Sequence, residues 1–158
     1  MSNIAQFVQH ANERVSSYPR CSHEQACVYA SEDIVENELG SRIFSSNDLE
    51  PWLQQVCTRE DIDTPHIIVA RVAKTSLASA LTDINAICIR GKNTSVATVL
   101  HEVAHIIVGV DSHGVLFRDE LVRLCRAHIS VEYAAMLHGV YSGLGLSMSP
   151  WPASAAQR

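Results

Sequence analysis

The sequence predicts an α+β fold: helices plus a small, mainly antiparallel sheet of three strands. Apolar residues recur at helical spacing in the N-terminal and C-terminal parts of the chain, whereas residues 66–90 hold short runs rich in Val, Ile, Leu and Ala. A chain of 158 residues, 47% hydrophobic and 18% charged, is long enough to bury a core of its own. We expect one domain over 1–158, with an N-terminal helix in 1–20 and a loose tail in 143–158.

Three helices are predicted before the strands. The first should end before Pro19, since proline does not continue a helix. The second opens at a capping box, in which Ser22 is followed three residues later by Gln25, and ends at Gly40. The third begins near Ser46, a good capping residue.

Strands are expected over residues 66–72, 76–81 and 84–90, joined by short connections. We take neighbouring strands along the chain to pair with one another, which gives the antiparallel arrangement. The last strand should lead directly into a further helix. Two more helices are predicted after it, the first ending near Ala127 and the second within 131–140.

The helix after the strands should cover about residues 94–108. Its apolar residues recur at helical spacing between the capping residues Asn93, Thr94 and Ser95 and the helix-ending Gly109. The helix carries the pattern His101-Glu102-Val103-Ala104-His105. Two residues four apart on a helix are separated by about 40° around the axis and about 6 Å along it. Both imidazoles can therefore reach one ion.

Glu102 lies one position round the helix from His101, so it need not be a ligand. It can instead accept a proton from a metal-activated water. In the H-E-x-x-H motif the two histidines bind the metal and the glutamate acts as the general base. The pattern indicates a hydrolytic Zn²⁺ site with Glu102 as the general base. Catalytic zinc usually has three protein ligands and an open fourth position, so a third ligand is expected nearby.

His113 is the preferred third ligand. It lies shortly after the turn expected at Gly109, and Gly114 allows the backbone to bend so that the imidazole points back at the ion. Histidine is also a common zinc ligand. The predicted metal ligands are therefore His101, His105 and His113.

Three carboxylates remain as alternatives to His113. The spacing of Asp111 from His105 matches the third-ligand position of H-E-x-x-H-x-x-G-x-x-H enzymes, but the glycine of that pattern falls one residue late here, at Gly109. Glu120 and Glu132 are further candidates downstream. The helix face around Glu120 also carries other charged residues, and we expect it to be solvated; these residues are Arg118, Asp119 and Arg123.

The motif resembles a known arrangement. His101-Glu102-x-x-His105 followed by His113-Gly114-x-x-Phe117 is similar to the H-E-x-x-H…H-G-x-x-F pattern of SprT-like zinc metalloproteases. The segment 28–33 is in turn similar to a metallohydrolase family of actinobacteria and their phages, and this likeness spans roughly residues 26–141. The resemblance implies the three histidines as zinc ligands and Glu102 as the catalytic residue, but it does not define the substrate. By analogy with zincins we expect a zincin-like fold with the motif on a central helix, and a peptide or protein as the substrate.

The charge distribution argues against a nucleic-acid partner. Residues 1–63 carry 11 acidic and 4 basic side chains, net −7, and residues 64–158 carry 6 and 8, net +2, which together give −5. A nucleic-acid-binding protein usually has a strongly basic face. An alternative function, a metal-dependent endoribonuclease, stays open because residues 109–113 loosely resemble the Gly-Tyr-Asp-His ending of bacterial ribosomal-RNA maturation endonucleases. A second alternative is a binding domain with a structural zinc, which would take four protein ligands.

We expect a cytoplasmic protein, because the sequence shows neither a membrane-spanning stretch nor an export signal. No apolar stretch is long enough to span a bilayer, and residues 1–15 lack the basic start and apolar run of a signal peptide. The cysteines are odd in number and contain no C-x-x-C pair, so we expect them to be reduced and free of metal. They are Cys21, Cys27, Cys57, Cys88 and Cys125. The sequence leaves the oligomeric state open.

Overall fold

Helices occupy both ends of the chain and the strands lie between them in the computed structural model, which describes residues 3–70, 78–109 and 112–152. In chain order the helices are α1 (Ile4–Arg14), α2 (His23–Leu39), α3 (Ser46–Glu60), α4 (Val96–Val108), α5 (Val115–His128) and α6 (Val131–Gly143). The strands are β1 (Ile43–Ser45), β2 (His66–Ala70), β3 (Ala78–Leu81), β4 (Ala86–Arg90) and β5 (Asn93–Ser95). The predicted α+β class is confirmed.

The described chain divides into two compact units, Met1–Gly40 with His113–Arg158, and Ser41–Ser112. The organisation as one domain stays a prediction. Among the described residues, no helix combines the length and the apolar character that crossing a bilayer requires.

The first unit contains α1, α2, α5 and α6. α1 packs closely on α6 at two glycines: a Cβ added to Gly139 would lie 3.0 Å from Ile4 Cδ1, and one added to Gly143 would overlap Val8. Small residues let two helices approach closely, so these glycines determine how α1 packs on α6. One of the two bonds of the predicted capping box is present at the start of α2, where Ser22 Oγ accepts from Gln25 N at 3.2 Å, while the side-chain amide of Gln25 donates to the Tyr29 hydroxyl at 3.3 Å.

Two buried tyrosines join α6 to α2. The hydroxyl of Tyr133 donates to Glu36 Oε2 at 2.8 Å, and that of Tyr141 donates to Glu32 Oε1 at 3.1 Å. Desolvation by burial is the largest cause that raises the pKa of both hydroxyls above the ordinary value of a tyrosine. Both therefore stay protonated at neutral pH and act as donors that hold the two helices together.

The residues after α6 make specific contacts where the sequence suggested a loose tail. Ser149 donates from its backbone N and its Oγ to the Asp119 carboxylate, at 3.0 and 2.5 Å, and its carbonyl accepts from His138 Nε2 at 2.8 Å. The Arg126 guanidinium lies over the ring of Trp151, 5.2 Å from the centroid. The chain is therefore held as far as Trp151, and residues 153–158 lie outside the described residues.

The second unit contains α3, α4 and the strands. Its three-stranded sheet has the order β2-β4-β3, with β4 parallel to β2 and antiparallel to β3. The prediction of a mainly antiparallel sheet is wrong for the β2–β4 pair. β2 and β3 follow one another in the chain but lie at opposite edges, and composition reveals strands without revealing their order. The central strand, β4, is recognisable by its burial: Ala86, Ile87 and Ile89 are buried, as expected for a strand with a neighbour on each side.

A short ribbon that the sequence did not predict leads into α4. β1 and β5 pair antiparallel, and three-residue strands are too short to show a periodicity. Beside the ribbon, Val96 N donates to Arg42 O at 2.8 Å and Ala97 N donates to Ser41 Oγ at 3.1 Å. These bonds satisfy two N–H groups of the first turn of α4 and fix where that helix starts.

Candidate metal centre

α4 ends at Val108, as the sequence predicts, and begins at Val96, two residues after the predicted start. Ser95 Oγ accepts from Thr98 N at 3.1 Å, which caps the first turn, and Gly109 follows the last turn with a φ of 78°. Val99, Leu100 and Val103 are fully buried. A capped helix with a packed apolar side therefore supplies a regular backbone for the H-E-x-x-H motif.

His101 and His105 present ring nitrogens to one another. Their Nε2 atoms are 3.2 Å apart, and their rings meet edge to face with centroids 4.9 Å apart. Two nitrogens at about 2.0–2.1 Å from a tetrahedral zinc ion are about 3.3 Å from each other. The observed separation fits one edge of such a coordination tetrahedron.

His113 completes a cluster of three histidines. One ring nitrogen of each of His101, His105 and His113 lies within 4.8 Å of the other two. His101 is 6% exposed and His113 is 4% exposed, while His105 is partly buried. Three imidazoles are a donor set that catalytic zinc sites use. The cluster could therefore hold a divalent metal ion.

Glu120 and Glu132, the two candidate carboxylates that the structure describes, are not in this cluster. Glu120 accepts from Arg123, with distances of 2.7 and 3.1 Å, and Glu132 is exposed. Asp111 lies outside the described residues. Among the candidates that the structure describes, His113 is the one brought close to the two histidines of α4.

Glu102 is buried, with 6% of its surface exposed, and follows His101 directly in α4. Glutamate is rarely buried to this degree unless it has a partner, and Glu102 does have one. A carboxylate beside a candidate metal ligand in the sequence has the chemistry of a general base. Its place in the fold is therefore compatible with the role that the motif predicts.

His113 has an unusual backbone conformation. Its φ is 86°, in the region that side-chain-bearing residues seldom adopt. Such a conformation costs on the order of 1–3 kcal/mol and persists where the surroundings fix it, often at functional sites. The residue after it, Gly114, is the N-cap of α5 and has an ordinary φ of −70°. The strain thus belongs to the candidate ligand itself.

Arg118 holds the carbonyl group of His113. Its Nη1 donates to His113 O at 2.6 Å and contacts the Glu24 carboxylate, and its Nη2 donates to Ser147 O at 2.9 Å. Arg118 is only 2% exposed. The prediction that it lies on a solvated helix face is therefore wrong, because α2 and the residues after α6 supply acceptors to it and bury it.

Two aromatic rings flank the imidazole of His113. The ring of Tyr29 lies 5.2 Å away and that of Phe117 lies 4.9 Å away, both edge to face. Edge-to-face packing of this kind favours one orientation of the ring. Tyr29 lies in α2, and nothing in the helical spacing of that segment predicts a contact with His113.

The cysteines form no disulfide in the part of the chain that the structure describes, and all five are free. Burial is the largest cause that raises the pKa of the Cys27, Cys57 and Cys125 thiols. These three thiols therefore stay protonated at neutral pH.

Comparison of the chain with protein-family models, with curated proteins and with solved structures yields no match. The residues of the histidine cluster and their surroundings are therefore the basis for the function proposed for this chain.

Proposed function

We propose that this chain is a zinc-dependent hydrolase that cleaves peptide bonds, with His101, His105 and His113 as metal ligands and Glu102 as the general base. The observation that carries the proposal is the approach of three imidazole nitrogens to within 4.8 Å of one another. Three nitrogen ligands leave one position of tetrahedral zinc open, as in catalytic sites, whereas structural sites use four protein ligands.

Zinc held by the three histidines would supply a positive charge that acidifies a water molecule and polarises the carbonyl of the scissile peptide bond. Glu102 would take one proton from the attacking water while the water oxygen forms a bond to the carbonyl carbon. The same carboxyl group would then give that proton to the amine nitrogen as the C–N bond breaks. The burial of Glu102 and His101 limits competing solvent around these groups.

The zincin-like fold and the kinship with SprT-like metalloproteases form part of the same proposal. The sequence of the motif, its position on α4 and the α+β class support them. A peptide substrate is favoured over RNA because phosphate contacts supply most nucleic-acid affinity and this chain has a net charge of −5.

The test uses the full chain, casein as an unstructured protein substrate, and RNA. Zinc-loaded wild type should cleave casein and lose this activity on chelation. Glu102→Gln should keep stoichiometric zinc and lose about 10²- to 10⁴-fold in rate, whereas His101→Ala should lose both zinc and activity. His10→Ala, at an exposed histidine of α1, is the matched control and should behave as wild type.

Two results would overturn the proposal. Wild-type protein that binds no zinc would remove the site, and zinc-dependent cleavage of RNA without cleavage of casein would establish the endoribonuclease instead.

A further inference from the structure

The buried guanidinium of Arg118 has an unusual environment. Its ion-pair partner is Glu24, whose side chain is 54% exposed, and its other acceptors are the backbone carbonyls of His113 and Ser147. Its Nε is buried without an acceptor among the described residues. Taking such a charge out of water is unfavourable, and a buried ion pair often adds little net stability. A gain in folding stability therefore does not explain why Arg118 is buried.

The backbone of His113 is the second unfavourable feature, and it meets the first at one peptide group. The carbonyl that Arg118 binds belongs to the residue with a φ of 86°. The helix that follows does not require this conformation, because its N-cap is Gly114. Two unfavourable features at one peptide suggest that the orientation of His113 is what both of them serve.

We propose that Arg118 is a positioning residue of the metal centre, which holds the strained His113 peptide and thereby sets the metal affinity of the three-histidine cluster. This inference rests on the proposed zinc site. Arg118 joins three segments: Glu24 in α2, the peptide of His113, and Ser147 after α6. Without that connection the backbone of His113 is free to relax to a negative φ, which turns the imidazole away from its present direction.

Arginine suits this role better than lysine. Its planar guanidinium presents several N–H groups in a fixed geometry, so a single side chain can bind Glu24 and two carbonyls together. A lysine ammonium at the same place keeps the charge but not the fixed fork. The residues after α6 take part as well, which gives the ordered segment around Ser147 a function at the metal centre.

The test measures the zinc affinity of the full chain by competition with a chromophoric chelator, together with the visible absorption spectrum of the cobalt(II)-loaded protein. Arg118→Met should lower zinc affinity about 10- to 100-fold, the range typical of residues that support a ligand. Its cobalt spectrum should shift towards that of His113→Ala, because one variant turns the His113 imidazole away and the other removes it. Arg118→Lys should recover part of the affinity.

Two further variants complete the set. Glu24→Gln changes a largely exposed side chain, so it should fold normally, and it should lower zinc affinity several-fold and alter the cobalt spectrum. Arg123→Met is the matched control: it breaks an ion pair in the same helix, with Glu120, and should leave both readouts as in wild type.

The role of Arg118 is overturned if Arg118→Lys and Glu24→Gln both keep wild-type affinity and spectrum while His113→Ala loses them. If Arg118→Met does not fold, the zinc affinities and cobalt spectra of Arg118→Lys and Glu24→Gln decide whether Arg118 has this role. If His113→Ala itself keeps wild-type zinc affinity, the proposed metal site fails, and the role of Arg118 fails with it.

Discussion

Helix α4 and the turn at His113 place their histidines by different physical means. In α4, the regular helix puts His101 and His105 one turn apart. The residue that caps the helix, Ser95, accepts a hydrogen bond from Thr98 N, only three residues along the chain. At the turn, a strained backbone is held by Arg118, which contacts Glu24, 94 residues away in the chain, and Ser147, 29 residues away. The first two candidate ligands thus depend on local sequence, and the third depends on tertiary structure.

The largest expected effect comes from replacing His113 by alanine or by glycine. Both variants remove an imidazole and should lose more zinc affinity than the roughly 10- to 100-fold seen for residues that only support a ligand. The metal-free proteins should differ from each other. Glycine accepts a positive φ freely, so we expect His113→Gly to be more stable than His113→Ala by about 1 kcal/mol in urea unfolding.

The control for that pair is His10, which lies inside α1. There the order should reverse, with His10→Gly less stable than His10→Ala by about 1 kcal/mol, because glycine is unfavourable in a helix. Equal stability of the two His113 variants would contradict the strain at that residue.

A smaller effect is expected from Phe117→Leu, which removes the ring packed against His113. Loss of the aromatic contact should cost about 0.5–1.5 kcal/mol of stability and lower zinc affinity several-fold. Phe7→Leu, at another buried phenylalanine of the first unit, should cost similar stability without changing zinc affinity. Equal zinc affinities in the two variants would show that packing on the imidazole is unimportant.

The smallest change is expected from Ser95→Ala, which removes the cap of α4. The unfolding free energy should fall by about 1 kcal/mol. The helix itself keeps its two histidines at the same spacing, so zinc affinity should change less than in Phe117→Leu. Ser45→Ala is the matched control, since Ser45 precedes α3 without capping it through its side chain. A large loss of zinc affinity in Ser95→Ala would contradict this expectation, because it would show that the positions of His101 and His105 depend on the cap.

Sequence reasoning recovered what local physics determines. The side-chain cap of α4 and its end before Gly109 follow from residue types within one or two turns, and so does the approach of His101 to His105. The start of the helix also depends on bonds from Ser41 and Arg42, which lie far away in the chain. It also selected His113, on ligand preference and spacing, and the structure brings that residue to the other two.

Features that depend on distant parts of the chain were missed. The parallel β2–β4 pair follows from strand order, which alternation and composition do not encode. The burial of Arg118 follows from acceptors in α2 and after α6, whereas its own helix suggests a solvated face. The contact between Tyr29 and His113 likewise joins residues in distant parts of the chain and has no local sequence signal.

X-ray absorption spectroscopy at the zinc edge tests the central claim most directly. The zinc-loaded full chain should show one ion with three imidazole nitrogens at about 2.0–2.1 Å and one further oxygen from solvent. A shell that contains sulfur at about 2.3 Å, or one with fewer than three imidazoles, would contradict the assignment of His101, His105 and His113 as the ligands.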